Sequence, residues 1–374
     1  MADSMIRLIW QSLVASASLK ILFACHLKTE EYELLLRQNG GSMNVLFLVL
    51  GVVLLALAVI DLLWTTLWVD GGAGPLSSRV STWLWHILQK VSGRRSRALS
   101  LAGPLMLVTS LCMWVVLLWA GWTFCFAGGD VSLIDARDNE PVTWPGRIYF
   151  VAFTMFTMGN GDFYPKDGFW QIVTGLTTAN GMLVVTLAIS YVLSVLSAVS
   201  QKRSFASGVT GLGMQSISFV EKGWDGNDFH SLELPLSSLA LQLDRLADQH
   251  KTYPILHYYH SEKSDTASAI AVAVFDDALT ILNFGVPEKR RPSKAVLTSA
   301  RSSVESYLQT LNSAFIKPAP DTPIAPNLER LRSKGIPTLD DAAFDEILAR
   351  LENRRRKLLG MVRADAWSWP LEKS

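Results

Sequence analysis

Six consecutive residues, Thr157 to Asp162, carry the strongest chemical signal in this sequence. They read Thr-Met-Gly-Asn-Gly-Asp and lie between two long apolar segments, directly after an aromatic-rich run from Trp144 to Phe156. A Gly-x-Gly tract between two membrane spans predicts backbone carbonyls that line a pore and replace the hydration shell of a cation. The glycines permit the backbone angles that turn successive carbonyls toward one axis. The predicted chemistry is passive binding and release of cations, with no covalent step.

Three apolar segments are long enough to hold this tract in a bilayer. Residues 44–69 contain one charged residue, Asp61, and residues 101–127 and 169–200 contain none. A bilayer core about 30 Å thick is crossed by about 20 helical residues, so each segment is long enough to span it. Hydrophobic residues make up 49% of the 374, and they are concentrated in the first 200. The sequence therefore predicts an all-α membrane protein with a soluble C-terminal half.

Charged residues around the spans predict the orientation. Basic residues precede the second span, and Lys202 and Arg203 follow the third. The positive-inside rule places both groups, and therefore the C-terminus, in the cytoplasm. The intervening loop should face outside, where its acidic residues would raise the local cation concentration; an ordinary solvated loop is the alternative. Its acidic residues are Asp130, Asp135, Asp138 and Glu140.

The segment from Trp144 to Pro165 resembles the pore loop of potassium channels. It contains, in order, an aromatic-Pro pair, a short helix-forming run, Thr-x-Gly-x-Gly-Asp and a Tyr-Pro pair. The resemblance extends from the second span to Gln201, and the ordered set is far more specific than a lone Gly-x-Gly. It implies a homotetramer around one axis, because a single loop per chain cannot enclose a pore. Potassium ions would be permeant ligands, and no cofactor is expected.

By position, this resemblance assigns roles to individual residues. Asp162 would brace the outer end of the filter, and a pore helix over 145–156 would direct the negative end of its dipole at a central cavity. Gly181 falls where the family's inner helix has its hinge glycine, although glycine also serves close helix packing in membranes. The filter residues would be Thr157, Met158, Gly159, Asn160 and Gly161.

Two residues depart from the family pattern. Asn160 stands where most members have Tyr or Phe, an aromatic ring that packs behind the filter and holds its diameter. Phe153 stands where many relatives carry a carboxylate that pairs with the filter aspartate, so Asp162 needs another partner, for which Tyr149 is the candidate. A less tightly braced filter would be less selective or would inactivate more readily. Potassium selectivity is the expectation, with weakly selective cation conduction and a non-conducting receptor or scaffold as alternatives.

The substitution Asn160→Tyr tests this interpretation of the filter. We expect it to raise the permeability of potassium relative to sodium, because an aromatic ring would fill the volume that asparagine leaves behind the carbonyls. The measurement is the reversal potential with potassium on one side of the bilayer and sodium on the other. An unchanged permeability ratio would contradict the proposed effect of this departure.

Outside the pore, composition predicts the remaining segments. Residues 1–43 are ambiguous, and fit an interfacial helix, a poor signal sequence or sequence upstream of a start at Met43. The apolar spacing between Leu76 and Val91 predicts an amphipathic helix in the membrane interface. The predicted segments are a first transmembrane helix at 44–69, an interfacial linker helix at 70–100, a pore domain at 101–203, a linker at 204–213, a helical cytoplasmic domain at 214–316, a Pro-rich linker at 317–337 and a C-terminal helix at 338–374.

Two features allow both a functional and a structural interpretation. Asp61 is an ionisable group well inside a span, which makes it a functional candidate by default; the alternative is a hydrogen bond to Thr65 or to a neighbouring Trp. In the C-terminal helix, apolar residues at 344, 347, 351, 358 and 361 have heptad spacing interrupted by Arg354. They predict either coiled-coil assembly or ordinary packing.

His257 and His260 are candidates for a metal site in the cytoplasmic domain. Spacing of three on a helix would put both rings on one face, as metal ligands require. Packing or hydrogen bonding is the alternative interpretation. The domain has no Gly-x-Gly-x-x-Gly after a strand, so a dinucleotide is not expected. Predicted partners are further copies of the chain, lipid, monovalent cations and a cytoplasmic ligand of unknown identity, without nucleic acid.

Neither an enzyme nor a voltage sensor is expected. No nucleophile-base pair is evident, and no span carries regularly spaced arginines. A membrane-anchored enzyme or metal sensor in the C-terminal half is the rival from another class. The minimal pore and the lack of a eukaryotic targeting signal favour a bacterial plasma membrane.

Overall fold

The computed structural model describes residues 43–68, 72–92, 99–314 and 316–370. The interpretations of the N-terminal extension therefore lie almost entirely outside the described residues. The described chain divides into two compact units. The first contains residues up to Leu57 together with Val116–Leu183, and the second contains Ala58–Val115 together with residues from Val184 onward.

Three long apolar helices are suited to cross a membrane. They are α1 (Val45–Leu67), α3 (Ala102–Ala127) and α5 (Phe169–Leu212), with α2 (Pro75–Ser92) between the first two. In the most apolar 18-residue stretch of each helix, only 22–33% is buried inside the protein, which leaves apolar faces for lipid. A fourth apolar segment, Ser268–Gly285, is 89% buried and is therefore a core helix. The all-α membrane fold predicted from the sequence is confirmed.

The core of the first unit is aromatic. Helix α4 (Trp144–Met155) packs its Phe150 ring against Phe126 of α3, with ring centroids 5.2 Å apart. Phe150 also meets Phe153 edge to face at 5.1 Å, and all three rings are buried. Two short strands, β1 (Leu133–Asp135) and β2 (Phe163–Pro165), pair antiparallel with Ile134 opposite Tyr164. The ring packing holds α4, and the pairing with β1 holds β2, so both ends of the loop between α4 and β2 are fixed.

Asp61 is a fully buried anchor in the second unit. Its Oδ1 accepts the backbone amide of Leu76 at 2.7 Å, and its Oδ2 accepts the hydroxyl of Ser77 at 2.5 Å and the indole N–H of Trp114 at 2.8 Å. A carboxylate at a helix N-terminus satisfies amides that have no partner within the helix. The hydrogen bond to a neighbouring Trp, one of the two predicted alternatives, is confirmed. Thr65 instead accepts the amide of Gly74 at 2.9 Å.

The predicted linker at 204–213 is wrong. Helix α5 runs without a break to Leu212, and Phe205, Ala206 and Val209 are fully buried in the core of the C-terminal domain. Small residues in this stretch suggested a flexible connection. Val209 lies four residues after Phe205 and three after Ala206, so these residues lie on one helix face, which packs against the domain.

The C-terminal domain is a helical assembly around one apolar core. The predicted single helix at 338–374 is wrong, because the chain breaks at Leu351 into two helices. Phe344, Leu358 and Met361 are buried in the core of the same chain, so the heptad spacing reflects ordinary packing. The helices are α6 (Ser216–Gly223), α7 (Glu233–Thr252), α8 (Ser268–Thr280) with a π turn (Ile281–Gly285), α9 (Lys294–Ala314), α10 (Glu329–Ser333), α11 (Asp341–Arg350) and α12 (Glu352–Ala364).

Arg354, which interrupts the heptad spacing, forms a buried ion pair. Its Nη2 lies 2.7 Å from Oδ1 of Asp276, and its Nη1 lies 2.5 Å from Oε2 of Glu305. Asp276 is 1% exposed, so it depends on this guanidinium for its charge partner. Arg354→Ala should therefore lower the stability by about 3–5 kcal/mol, measured as a fall in Tm of the full-length protein.

Arg350→Ala is the matched control for Arg354. Arg350 pairs with Glu346, and both side chains are about 70% exposed (73% and 69%). Exposed pairs contribute less than about 1 kcal/mol, so Tm should hardly change. Equal losses from the two variants would show that the buried pair has no special role.

Candidate ion-conduction site

The filter tract begins where α4 ends. The amide of Thr157 donates to the carbonyl of Thr154 at 3.2 Å, and the amide of Met158 donates to the carbonyl of Phe153 at 2.7 Å. These bonds fold the chain back against the last turn of the helix. The first residues of the tract are therefore bonded to helix α4, whose Phe150 and Phe153 pack in the aromatic core.

Alternate residues of the tract have positive φ angles. Thr157 has φ +59°, Gly159 +62° and Gly161 +78°, while Met158 and Asn160 between them do not. An alternating φ sign is the backbone pattern expected where successive carbonyls are to be turned toward one axis, and glycine permits the positive values. A β-branched residue such as Thr157 is strained at positive φ, by about 1–3 kcal/mol. Strain of this kind marks a backbone shape that the surrounding structure imposes.

The tract is uncovered by its own chain. Every residue from Phe156 to Gly161 is exposed, and Met158 is 67% exposed. The next helix, α5, likewise exposes apolar side chains such as Ile172 and Leu176 on the same unit. The tract and these apolar side chains are therefore accessible for contact with further molecules.

Tyr149 of α4 connects two residues of the tract. Its hydroxyl donates to Oδ2 of Asp162 at 3.3 Å and accepts a hydrogen bond from the side-chain amide of Asn160. The Tyr149 ring packs edge to face against Phe153 at 5.2 Å and Phe163 at 6.2 Å. Tyr149 therefore occupies the place of the partner that Asp162 was expected to need, and it also contacts the residue that departs from the family pattern.

The backbone of Asp162 is held independently of its side chain. The amide of Ala136 donates to its carbonyl oxygen at 2.9 Å, next to the β1–β2 ladder. Phe153 is 4% exposed and surrounded by rings, so this position has an apolar environment unsuited to a carboxylate. Both residues that depart from the family pattern therefore contact Tyr149. Asn160 donates to its hydroxyl, and Phe153 packs against its ring.

Gly181 of α5 lies against the end of α4. A Cβ atom built on Gly181 would overlap the carbonyl oxygen of Met155, which is backbone and cannot rotate away. Nearby, the Thr178 hydroxyl lies 3.4 Å from the carbonyl of Thr154. The close approach gives glycine a packing reason at this position.

Gly181→Ala should lower the Tm of the full-length protein by several degrees, because the added methyl group must push α5 away from Met155. Gly175→Ala, in the same helix, is the control, since a Cβ there meets nothing within 4 Å. That control should raise stability slightly through its helix propensity, by up to about 1 kcal/mol. A Gly181→Ala protein as stable as the control would refute the close contact.

The prediction that His257 and His260 share a helix face is wrong. The 3₁₀ helix Pro254–Tyr258 ends before His260, whose Nδ1 lies 3.2 Å from Oδ1 of Asp365. Its ring stacks on Trp367 at 5.2 Å between centroids. Among the described residues, no group of three or more His, Cys, Asp or Glu side chains could hold a metal ion.

Lys202 has a structural role that its sequence did not reveal. Only 5% exposed, it donates from Nζ to the carbonyls of Leu256 at 3.0 Å and Tyr259 at 2.9 Å. From the sequence it appeared only as a topology marker after the third span. The burial of Lys202 could have been predicted from its position on α5, three to seven residues before Phe205, Ala206 and Val209, which are buried.

Comparison with known proteins agrees with this geometry. A family model described as an ion channel matches residues 110–198, which include α4, the filter tract and most of α5. The chain is 42% identical over 331 residues to the uncharacterized membrane protein YdjJ of Bacillus subtilis (strain 168), covering 88% of this chain and 97% of that protein. No solved structure matches it significantly.

These matches define a pore-loop ion channel built on membrane-spanning helices. The chain belongs to the same family as YdjJ, within the potassium-channel-like superfamily.

Proposed function

We propose that the chain forms a homotetrameric, potassium-selective channel that conducts passively through the carbonyls of residues 157–161. The observation that carries this proposal is the alternation of φ sign at Thr157, Gly159 and Gly161. Carbonyls gathered on one side of the chain can replace the water around a dehydrated cation when several chains meet. The side-chain hydroxyl of Thr157 would add a ligand at the inner end.

Four chains are proposed because one chain leaves the tract uncovered. The exposed run from Phe156 to Gly161 and the exposed apolar face of α5 would both be buried in such an assembly. Burial of this surface would also stabilise the strained conformation of Thr157. The end of α4 that leads into the filter would present its partial negative charge to an entering cation.

Weakly selective cation conduction is the second candidate. It is favoured by Asn160, whose amide bonds Tyr149 in place of the larger ring that most family members have. The hydrogen-bonded arrangement of Tyr149 and Asp162 supports the selective version, because it limits widening of the tract. The two candidates differ only in how well this arrangement holds the filter diameter.

Gating by the C-terminal domain is part of the proposal. Lys202 of α5 holds two carbonyls of the segment 254–259, so a shift of that segment would pull on the helix. Bending at Gly181 is the proposed hinge movement. We further propose a bacterial plasma membrane with a cytoplasmic C-terminus, in agreement with the basic residues beside the spans.

Reversal potentials of the purified protein in planar bilayers, with potassium and sodium on opposite sides, test the function. A potential near the potassium limit is the expected result, and clear current with a potential near zero would favour the weakly selective candidate. Gly159→Ala should abolish the current, because alanine is strained at φ +62°, whereas Gly175→Ala should retain it. A folded tetramer that carries no ion under any gating condition would favour the non-conducting scaffold.

A further inference from the structure

The second unit contains a cavity of about 510 Å³. Its walls come from the ends of α1 and α7, from α2, α3, α5 and α9, and from the 3₁₀ helix after α7. Small-molecule sites commonly have volumes of about 300–1,000 Å³, so the size suits a compact ligand. Residues in its walls include Thr65, Ser81, Ser110, Tyr191, Lys251 and Tyr258.

Three hydroxyl groups of α2 present acceptors in the wall of this cavity. Thr82 donates its hydroxyl hydrogen to the carbonyl of Ser78 at 2.8 Å, and Ser78 donates to the carbonyl of Pro75 at 3.3 Å. Ser77 donates to Oδ2 of Asp61 at 2.5 Å. A hydroxyl that has donated its single hydrogen keeps lone pairs that can accept. A ligand that fits such a wall therefore brings hydrogen-bond donors.

His250 adds another acceptor to the wall. Its Nδ1 lies 2.9 Å from the carbonyl of Leu246, which can only accept, so Nδ1 carries the proton. Burial lowers the pKa of His250 to about 3, and the positive charge of Lys202 contributes to the same effect. The ring is therefore neutral at physiological pH, and Nε2 is left as an acceptor.

Lys251 gives the cavity its charge. It is the charged side chain among the described residues of the wall, which contain no carboxylate. Its ammonium lies 3.8 Å from Asp248, in a solvent-exposed pair with side chains 46% and 80% exposed. Such a pair is weak and leaves the ammonium able to bind a stronger anion.

We propose that this cavity binds a hydroxyl-rich anion of the phosphorylated-polyol class. The phosphate would lie at Lys251, and the hydroxyls of the ligand would donate to the acceptors on α2 and α7. A free phosphorylated polyol and a glycerol-phosphate lipid headgroup share this chemistry. The binding itself does not depend on the proposed channel activity.

The position of the cavity gives the ligand a regulatory consequence, which rests on the proposed function. Tyr191 of α5 lines it and packs edge to face against Trp114 at 6.2 Å and Tyr253 at 6.0 Å. A ligand that fills the cavity would join α2 and α5 to the segment that Lys202 holds. Occupancy should therefore change the open probability of the channel.

The test is binding to the full-length protein in phosphatidylcholine nanodiscs. In the first arm, glycerol 3-phosphate is titrated by calorimetry; in the second, phosphatidylglycerol is added to the nanodiscs and the Tm is followed. Saturable binding in the first arm identifies a free ligand, and a Tm increase in the second arm alone identifies a lipid headgroup. Lys251→Gln should weaken either effect about tenfold, because a charge-assisted contact is lost. Lys263→Gln, an exposed lysine outside the wall, should leave it unchanged.

Ser81→Leu is a second variant, designed to fill the cavity. If it keeps its Tm without ligand, it should abolish binding; if it unfolds, Lys251→Gln decides alone. The proposal is overturned if neither probe binds the wild-type protein, or if Lys251→Gln binds as well as Lys263→Gln. Binding by a protein that carries no current would support the cavity and contradict the proposed channel activity, so the two failures are distinguishable.

Discussion

Tyr149→Phe should reduce the permeability ratio of potassium to sodium by about tenfold, while the protein still folds and assembles. The phenylalanine ring keeps the edge-to-face packing against Phe153 and Phe163. It removes the hydroxyl that accepts from Asn160 and donates to Asp162. Each of the two hydrogen bonds stabilises the brace by roughly 0.7 kcal/mol, so their joint loss is about 1.4 kcal/mol, which corresponds to a factor of ten. The filter should then accommodate sodium more easily.

Tyr164→Phe is the matched control for this prediction. Tyr164 lies on strand β2, and its hydroxyl donates to Oδ1 of Asn139 at 2.9 Å, not to a filter residue. The Tyr164→Phe variant loses this one hydrogen bond of ordinary strength, so its permeability ratio should stay at the wild-type value. Reversal potentials of both variants, compared with the wild type, measure the difference. If Tyr149→Phe is as selective as Tyr164→Phe, the hydroxyl does not brace the filter.

Asp61→Asn should lower the Tm of the full-length protein by more than about 5 °C. The carboxylate accepts from backbone amides, from Ser77 and from Trp114, and all of these are donors. Asparagine has one accepting oxygen, and its NH₂ group would face a donor. Each buried donor left without a partner costs about 1–3 kcal/mol. The loss should release the N-terminus of α2 from α1 and α3.

The control for Asp61 is Asp167→Asn. Asp167 is exposed, and its Oδ1 accepts from the Gln171 side chain at 2.8 Å, which an asparagine oxygen can also do. Its Tm should match that of the wild type. In the Asp61→Asn background, Trp114→Phe should cost less than it does alone, because its partner has already been lost. Full additivity of the two substitutions would argue against the hydrogen bond between them.

The order of residue types within a short stretch of sequence was enough to predict the pore helix. A pore helix was expected over 145–156 and extends over Trp144–Met155. Pro at its start, aromatic spacing along it and glycines after it are all signals within a few residues. The partners of Asp61 were harder to predict, because Leu76 and Trp114 lie 15 and 53 residues away in the chain. Contacts at such separations depend on the tertiary packing of helices.

The wrong predictions came from reading composition without packing. Small residues at 204–213 suggested a linker, although Phe205 and Val209 had the spacing of one helix face. The histidine pair was placed on an α-helix, but the chain leaves helical geometry after Tyr258, where Tyr259 has φ −80° and ψ 82°. Leucine spacing near the C-terminus suggested assembly, yet the same side chains fill the core of their own domain.

The burial of Phe205, Ala206 and Val209 has a consequence for biogenesis and for gene fusion. These residues are synthesised well before Leu358 and Met361, which belong to the same core. The core therefore stays incomplete until the ribosome has also translated this later segment. A cut or a fusion junction at residue 213 would remove three buried side chains from the domain. An exchangeable version of this domain would have to begin inside α5, before Phe205.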